Sequence, residues 1–161
     1  MTARPGPSKA GPIAAGAAVV LLIASPLVMQ WEGKENTTYR DIVDIPTVCY
    51  GQTGTHIRMG QTFTDAECAA MLDAELRKYL TALDRCITQP VTPNQGAAVL
   101  SWTYNVGTGA ACGSTLVRKL NAGAPTSEWC GELLRWNRAG GKVVRGLTLR
   151  RQAEHTLCVG G

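Results

Sequence analysis

At 161 residues the chain is the size of one domain, long enough to bury a real core. Its 45% hydrophobic and 17% charged residues are ordinary for a globular protein, and a net charge of +4 suits an acidic polymer or surface without requiring one. A single Phe and four Trp leave little for a base-stacking platform, and without a zinc-knuckle or P-loop pattern nucleic acid is not an expected partner.

Residues 1–11 carry Arg4 and Lys9 and no acid. Residues 12–29, PIAAGAAVVLLIASPLVM, hold no charged side chain. At about 1.5 Å per residue they span roughly 27 Å as a helix, just short of a hydrocarbon core. The basic flank should stay cytoplasmic, which places everything after Met29 across the membrane. Three readings compete: a cleaved signal peptide, a permanent anchor, and a weak segment that inserts and later leaves. Five Ala, one Gly, one Ser and two Pro favour the last by making insertion marginal, and Ala24-Ser25 before Pro26 is a poor cleavage motif. Composition leaves signal peptide and retained segment both open.

Downstream, residues 38–63 are rich in Thr, Gly, Ile and Val, with turn signals at GQTG and RMGQ, and read as short strands of a small sheet. TDAE at 64–67 is a capping box, and Ala69, Leu72, Leu76, Tyr79 and Leu83 repeat at helical spacing, so 65–85 should be one long helix. TPNQ at 92–95 is a second box with Pro93 at the first helical position; that helix should run to about Asn105 and stop near Gly107 and Gly109. Shorter helices are expected at 113–121, 126–137 and 148–158, with AGG at 139–141 breaking the last two. The pattern is α+β: a small β-containing lobe, a long connecting helix and a helical lobe, with a cleft between lobes.

Six cysteines, Cys49, Cys68, Cys86, Cys112, Cys130 and Cys158, form no CxxC pair and have no His at ligand spacing, so neither a zinc site nor another cofactor is expected. An even number after an export-like segment points to disulfides in an oxidising compartment. Arg135, Arg138, Lys142, Arg145, Arg150 and Arg151 read first as a solvated helix face with one or two ion pairs, second as an attractor for carboxylates of an acidic partner.

WEGKENTTYRDIVDIPTVCYGQTG, residues 31–54, holds the candidate chemistry. A glycosidic bond is cut by two carboxyl groups in different protonation states. Glu32 follows Trp31 and an apolar run, where burial would keep it protonated, whereas Asp41 sits in a polar stretch and should stay ionised. Thr47 offers a hydroxyl to hold a water near Asp41. Spacing alone does not separate this reading from a helix-end Glu and a turn-forming Asp, and Glu35 and Asp44 are nearby rivals.

WEG followed by YRDIVDIPTVCYGQTG, then TDAECAAML, YNVGTGA, STLVRKLNAG and LLRWNRAGGKVVRGLTLRRQAE, closely resembles the phage-type lysozymes, muramidases of the T-even phage type. More narrowly, it resembles endolysins that begin with a signal-arrest-release segment. The resemblance covers nearly all of 31–158 and implies a lysozyme-like two-lobed fold and a Glu32-Asp41-Thr47 triad working by the inverting route. Its substrate would be the β-1,4 bond between N-acetylmuramic acid and N-acetylglucosamine. Gln52 stands where relatives carry His and, still able to donate and accept hydrogen bonds, is expected with Tyr104, Asn105 and Thr115 among the substrate-binding residues; the last three resemble positions on the sugar-binding side, with helix packing or capping as the alternative. It further implies the disulfides Cys49–Cys68, Cys86–Cys112 and Cys130–Cys158.

The domain plan that follows is a cytoplasmic basic region at 1–11, a signal-arrest-release segment at 12–29 and a muramidase domain at 30–161. In this fold the residues before the acid form a helix that positions it, so retention becomes the better reading: cleavage would leave Glu32 third from a frayed N-terminus. The expected course is a periplasm-facing enzyme tethered at the inner membrane and inactive, then released, with its apolar segment folding onto the domain. The segment has no cysteine, so thiol exchange within it is not expected to drive activation. Expected partners are the peptidoglycan glycan strand, the host inner membrane transiently, and a holin or pinholin acting alongside a monomer. A lytic transglycosylase, which needs no water-activating Asp, and a non-catalytic wall-binding regulator of lysis are the alternatives.

Overall fold

The computed structural model describes residues 11–13 and 16–161. The basic region at 1–11 lies outside these but for Gly11, as do Ala14 and Ala15 of the apolar run. Helix α1 spans Ala17–Glu32. It takes up most of the apolar run, continues through Trp31, and ends on Glu32 because Gly33 follows at φ 66°, a conformation strained for any residue with a Cβ.

α1 is apolar on every side yet buries one stripe, Val20, Leu21, Ala24 and Val28. That burial contributes about 5–9 kcal/mol as an upper estimate. The stripe lies on α3 (Pro93–Val106). Gly96 of α3 permits the close approach: a Cβ there would meet Val20 Cγ2 at 3.1 Å and Ile13 Cγ2 at 3.5 Å. Just upstream, the Ile13 amide donates to Asp84 Oδ1 at 2.7 Å, on helix α2 (Asp65–Cys86). Val19 and Leu22 on the opposite side remain exposed. Among the described residues no helix is long and apolar enough to cross a membrane.

The β lobe is an antiparallel hairpin of β1 (Glu35–Arg40) and β2 (Pro46–Cys49), with Tyr39 opposite Thr47 and Arg40 opposite Pro46. The remainder of the expected sheet is loop, joined to the hairpin by isolated bridges at Thr37–Thr62 and Val48–Gln52. Both capping boxes form: Thr64 and Glu67 satisfy each other's amides at the start of α2, and Thr92 and Gln95 do so at α3. α3 is buried along most of its length and carries the core of the helical lobe.

Past α3 the structure departs from the sequence expectations in detail. Gly107 ends α3 as expected and also caps a further short helix, α4 (Thr108–Cys112), before α5 (Thr115–Asn121), whose cap is Ser114. The helix expected over 126–137 is α6 (Thr126–Gly131) followed by a 3-10 turn over Glu132–Arg135. AGG is more than a breaker, since Gly140 and Gly141, both at positive φ, make the two-residue turn of a hairpin between β3 (Arg138–Ala139) and β4 (Lys142–Val143). α7 then starts early, at Arg145, and runs to Val159.

Three disulfides tie these parts together. Cys49–Cys68 joins β2 to α2, Cys86–Cys112 joins α2 to α4, and Cys130–Cys158 joins α6 to α7. They close 19, 26 and 28 residues of sequence separation. On chain-entropy grounds loops of that size stabilise by about 3–4 kcal/mol each.

Candidate active site

Glu32 is the last residue of α1, so α1's packing on α3 decides where its carboxylate sits. Arg150, on α7, donates from Nη1 to Glu32 Oε1 at 2.5 Å. The Arg150 side chain is 4% exposed and that of Glu32 22%. The apolar surround expected for Glu32 is therefore corrected: its near neighbour is a buried guanidinium. No donor among the described residues meets Oε2.

Arg150 is itself held on two sides. Its Nη2 donates to the Ser101 carbonyl of α3 at 3.1 Å, and its Nε to Glu154 Oε1 at 3.2 Å. Glu154 is fully buried and also accepts from Ser101 Oγ at 2.7 Å and from Arg151 Nη2 at 3.0 Å. Arg151 Nε lies 2.7 Å from Glu154 Oε2. Burial pushes the Glu154 carboxyl up, opposed by Arg151, Ser101 and Arg150, and burial pulls Arg151 down, opposed by Glu154. The solvated-face reading of the basic run thus fails for Arg150 and Arg151, which are interior; Arg135, Arg138, Lys142 and Arg145 are exposed as that reading has them.

Asp41 follows β1 at the hairpin turn. Its Oδ1 accepts from the amides of Val43 and Ile45, both at 2.9 Å, and its own amide donates to the Ile45 carbonyl at 3.1 Å. One oxygen is thus braced by backbone while Oδ2 has no donor among the described residues. Thr47 is buried, and its hydroxyl donates to the Ile45 carbonyl at 2.9 Å, which leaves its lone pairs to accept. Asp41 and Thr47 are therefore fixed by one turn, with Glu32 three residues before the strand that leads to it.

Gln52 and Tyr104 come together, but with each other. Gln52 accepts from the Tyr50 amide at 2.8 Å and donates to Tyr104 Oη at 2.9 Å, while Tyr104 Oη donates to the Tyr50 carbonyl at 2.8 Å. This bracket ties the β lobe to α3 and uses the polar atoms that a sugar would need. Burial first, then the nearby Glu32 charge, pushes the Tyr104 phenol well above its ordinary range. Asn105 is exposed and lines an open groove of about 410 Å³ with Val106, Arg135, Trp136, Arg138 and Leu147. Thr115 is half-buried at the start of α5, its hydroxyl accepting from Arg118 at 3.3 Å. Sequence reasoning missed Glu154 as a member of the site. Its spacing from Arg150 and Arg151, i+4 and i+3 on one helix, was the available signal.

Comparison with known proteins agrees with this architecture. The phage lysozyme family model matches residues 29–154. A SAR-endolysin of Bacteriophage PS119 is 40% identical over 130 residues, 81% of this chain and 77% of the relative. Among solved structures, a P22 lysozyme mutant superposes with TM-score 0.78 at 28% identity, over 84% of this chain and 94% of that one. An endolysin from Escherichia coli O157:H7 phage FAHEc1 gives 0.76 at 29%, over 85% and 90%. The chain belongs to the phage lysozyme family.

Proposed function

We propose that this lysozyme-family endolysin degrades peptidoglycan by hydrolysing the β-1,4 bond between N-acetylmuramic acid and N-acetylglucosamine. Glu32 gives its Oε2 proton to the leaving oxygen, and Arg150 meets the charge that remains. Asp41, braced through Oδ1, uses Oδ2 to orient and activate a water, and Thr47 accepts a hydrogen bond from that water. Attack from the far face of the sugar inverts the anomeric centre. A transglycosylase would have no use for a carboxylate so braced with one oxygen left free.

We further infer that residues 12–29 begin in the host inner membrane, with 1–11 in the cytoplasm and 30–161 facing the periplasm, and that the enzyme is inert there. In lipid the segment cannot lie on α3, so Glu32 has no fixed place beside Arg150. On release it folds as α1 and completes the site, and the protein works as a periplasmic monomer alongside a holin or pinholin. The observation that carries this reading is that one helix is both the apolar run and the mount of Glu32.

The test is expression of the full chain in a bacterium with and without collapse of the membrane potential. Lysis on collapse by wild type, none by Glu32→Gln, and products one water heavier than an anhydro sugar are expected. An anhydro product, or lysis undiminished in Asp41→Asn, would point to the transglycosylase. No wall cleavage by the released protein would point to a binding module.

A further inference from the structure

Beneath the contact between Glu32 and Arg150 lies a second carboxylate that the mechanism above does not use. Glu154 is fully buried, 53 residues along the chain from Ser101 and one helical turn from Arg150. The groups that hydrogen-bond to it or pair with it are the Ser101 hydroxyl, Arg150 Nε, and Arg151 Nε and Nη2. Arginine has no acceptor, so Arg150 and Arg151 favour the carboxylate form against the burial that pushes the Glu154 carboxyl up. The charges then sum simply: two arginines face Glu154 and Glu32. With Glu32 ionised the cluster is neutral; with Glu32 protonated it carries one positive charge.

Without Glu154 the protonated state of Glu32 would leave two uncompensated guanidiniums in the interior. Burying unpaired charge is strongly unfavourable, so the cluster would hold Glu32 as the carboxylate and the proton donor would be lost. We propose that Glu154 is a positioning residue for the reaction: it fixes the Arg150 fork and supplies the buried anion that lets Glu32 carry its proton. This rests on the reading of Glu32 as the acid.

Tyr79 of α2 and Tyr104 of α3 also feel the Glu32 charge, with Glu75 of α2 acting on both phenols. Burial, aided by those acids, raises both tyrosines, so they stay neutral through the working range and leave the charge balance to Glu32, Glu154, Arg150 and Arg151.

The experiment records pH–rate profiles of the released full chain on a soluble wall glycan, with carboxyl-carbon NMR titration of Glu32 alongside. In Glu154→Gln, kcat at neutral pH should fall at least about tenfold with KM within about threefold, and the alkaline limb should move acidward by about one pH unit or more. Glu154→Asp should recover most of the loss. Arg151→Met combined with Glu154→Gln removes one charge of each sign, and its limb should return to the wild-type position. That double variant leaves no extra buried cation, so it carries the test if Glu154→Gln does not fold. A lowered kcat with an unmoved limb in Glu154→Gln, or a displaced limb in the double variant, would make Glu154 merely structural and overturn the inference while Glu32 stands. Undiminished activity of Glu32→Gln, measured in parallel, would instead remove the acid assignment and this inference with it.

Discussion

Gly96 offers a way to separate α1 from the domain without touching the cleft. Alanine there is the mild perturbation. It should add up to about 1 kcal/mol of helix propensity to α3, while its Cβ, 3.1 Å from Val20 Cγ2, asks the neighbour to give by a few tenths of an ångström. Leucine is the severe one, because its branch must occupy the place of the Val20 and Ile13 methyls. Overpacking of that kind costs about 1–3 kcal/mol, and displacing Val20 forfeits a further ~1.5–3 kcal/mol. The sum is a large part of the about 5–9 kcal/mol with which the α1 stripe is held. Gly96→Leu should therefore lower the docked fraction of α1 by about two orders of magnitude or more, at 1.4 kcal/mol per tenfold. The assay is limited proteolysis of the released protein, following cleavage within 17–32, beside the rate of wall clearing. Protease entry into α1 and clearing should change together, with the disulfide-linked remainder intact and Gly96→Ala close to wild type. Full clearing by Gly96→Leu with α1 still protected would refute the dependence of Glu32 on this contact.

Three further outcomes follow from individual contacts. Thr47→Val keeps the shape of a buried side chain but removes the hydroxyl, and should lower kcat by about 5- to 150-fold, the worth of one hydrogen bond of about 1–3 kcal/mol made in the transition state; an unchanged kcat would remove Thr47 from the water. Gln52→Ala takes both partners from the bracket at Tyr50 and Tyr104, and should destabilise the fold by about 1–3 kcal/mol in urea unfolding. A sugar-contact role would instead raise KM at unchanged stability. The Lys119 hydrogen bond to Glu132, 2.8 Å long, holds the Glu132 carboxyl below its ordinary value. Stability from that pair is present above the ordinary carboxylate range and lost as pH falls through the lowered value. Tm should therefore drop more on acidification from about pH 5 to about pH 3 in wild type than in Lys119→Met, and equal drops would discount the pair.

Where a structural signal is local, the sequence carries it in full. The reciprocal side chain and amide contacts at Thr64/Glu67 and Thr92/Gln95 lie within one turn, and so α2 and α3 are placed to within a residue of their expected bounds. Glycine is ambiguous, because it serves equally as a stop, a cap or a turn. Gly107 stops α3 as expected but also caps α4, and Gly140-Gly141 closes a hairpin where only a break was expected.

The interior of the site was the least legible part. Arg150 meets Glu32 across 118 residues, and nothing in a run of basic residues separates the two that enter the core from the four that face water. That distinction is made by α3, α6 and the 3-10 turn, which pack on one side of α7 and turn the RRxxE spacing inward. The same non-locality explains Gln52 and Tyr104. Their residue types suit sugar binding, but tertiary packing sets them against each other.

In the proposed mechanism the apolar run is kept and works as the mount of the proton donor. Intact mass and N-terminal sequencing of the active enzyme recovered from lysing cells test it most directly. One active species that still contains residues 12–29, inactive once a protease removes them, is expected. An active enzyme that begins after Met29 would contradict it.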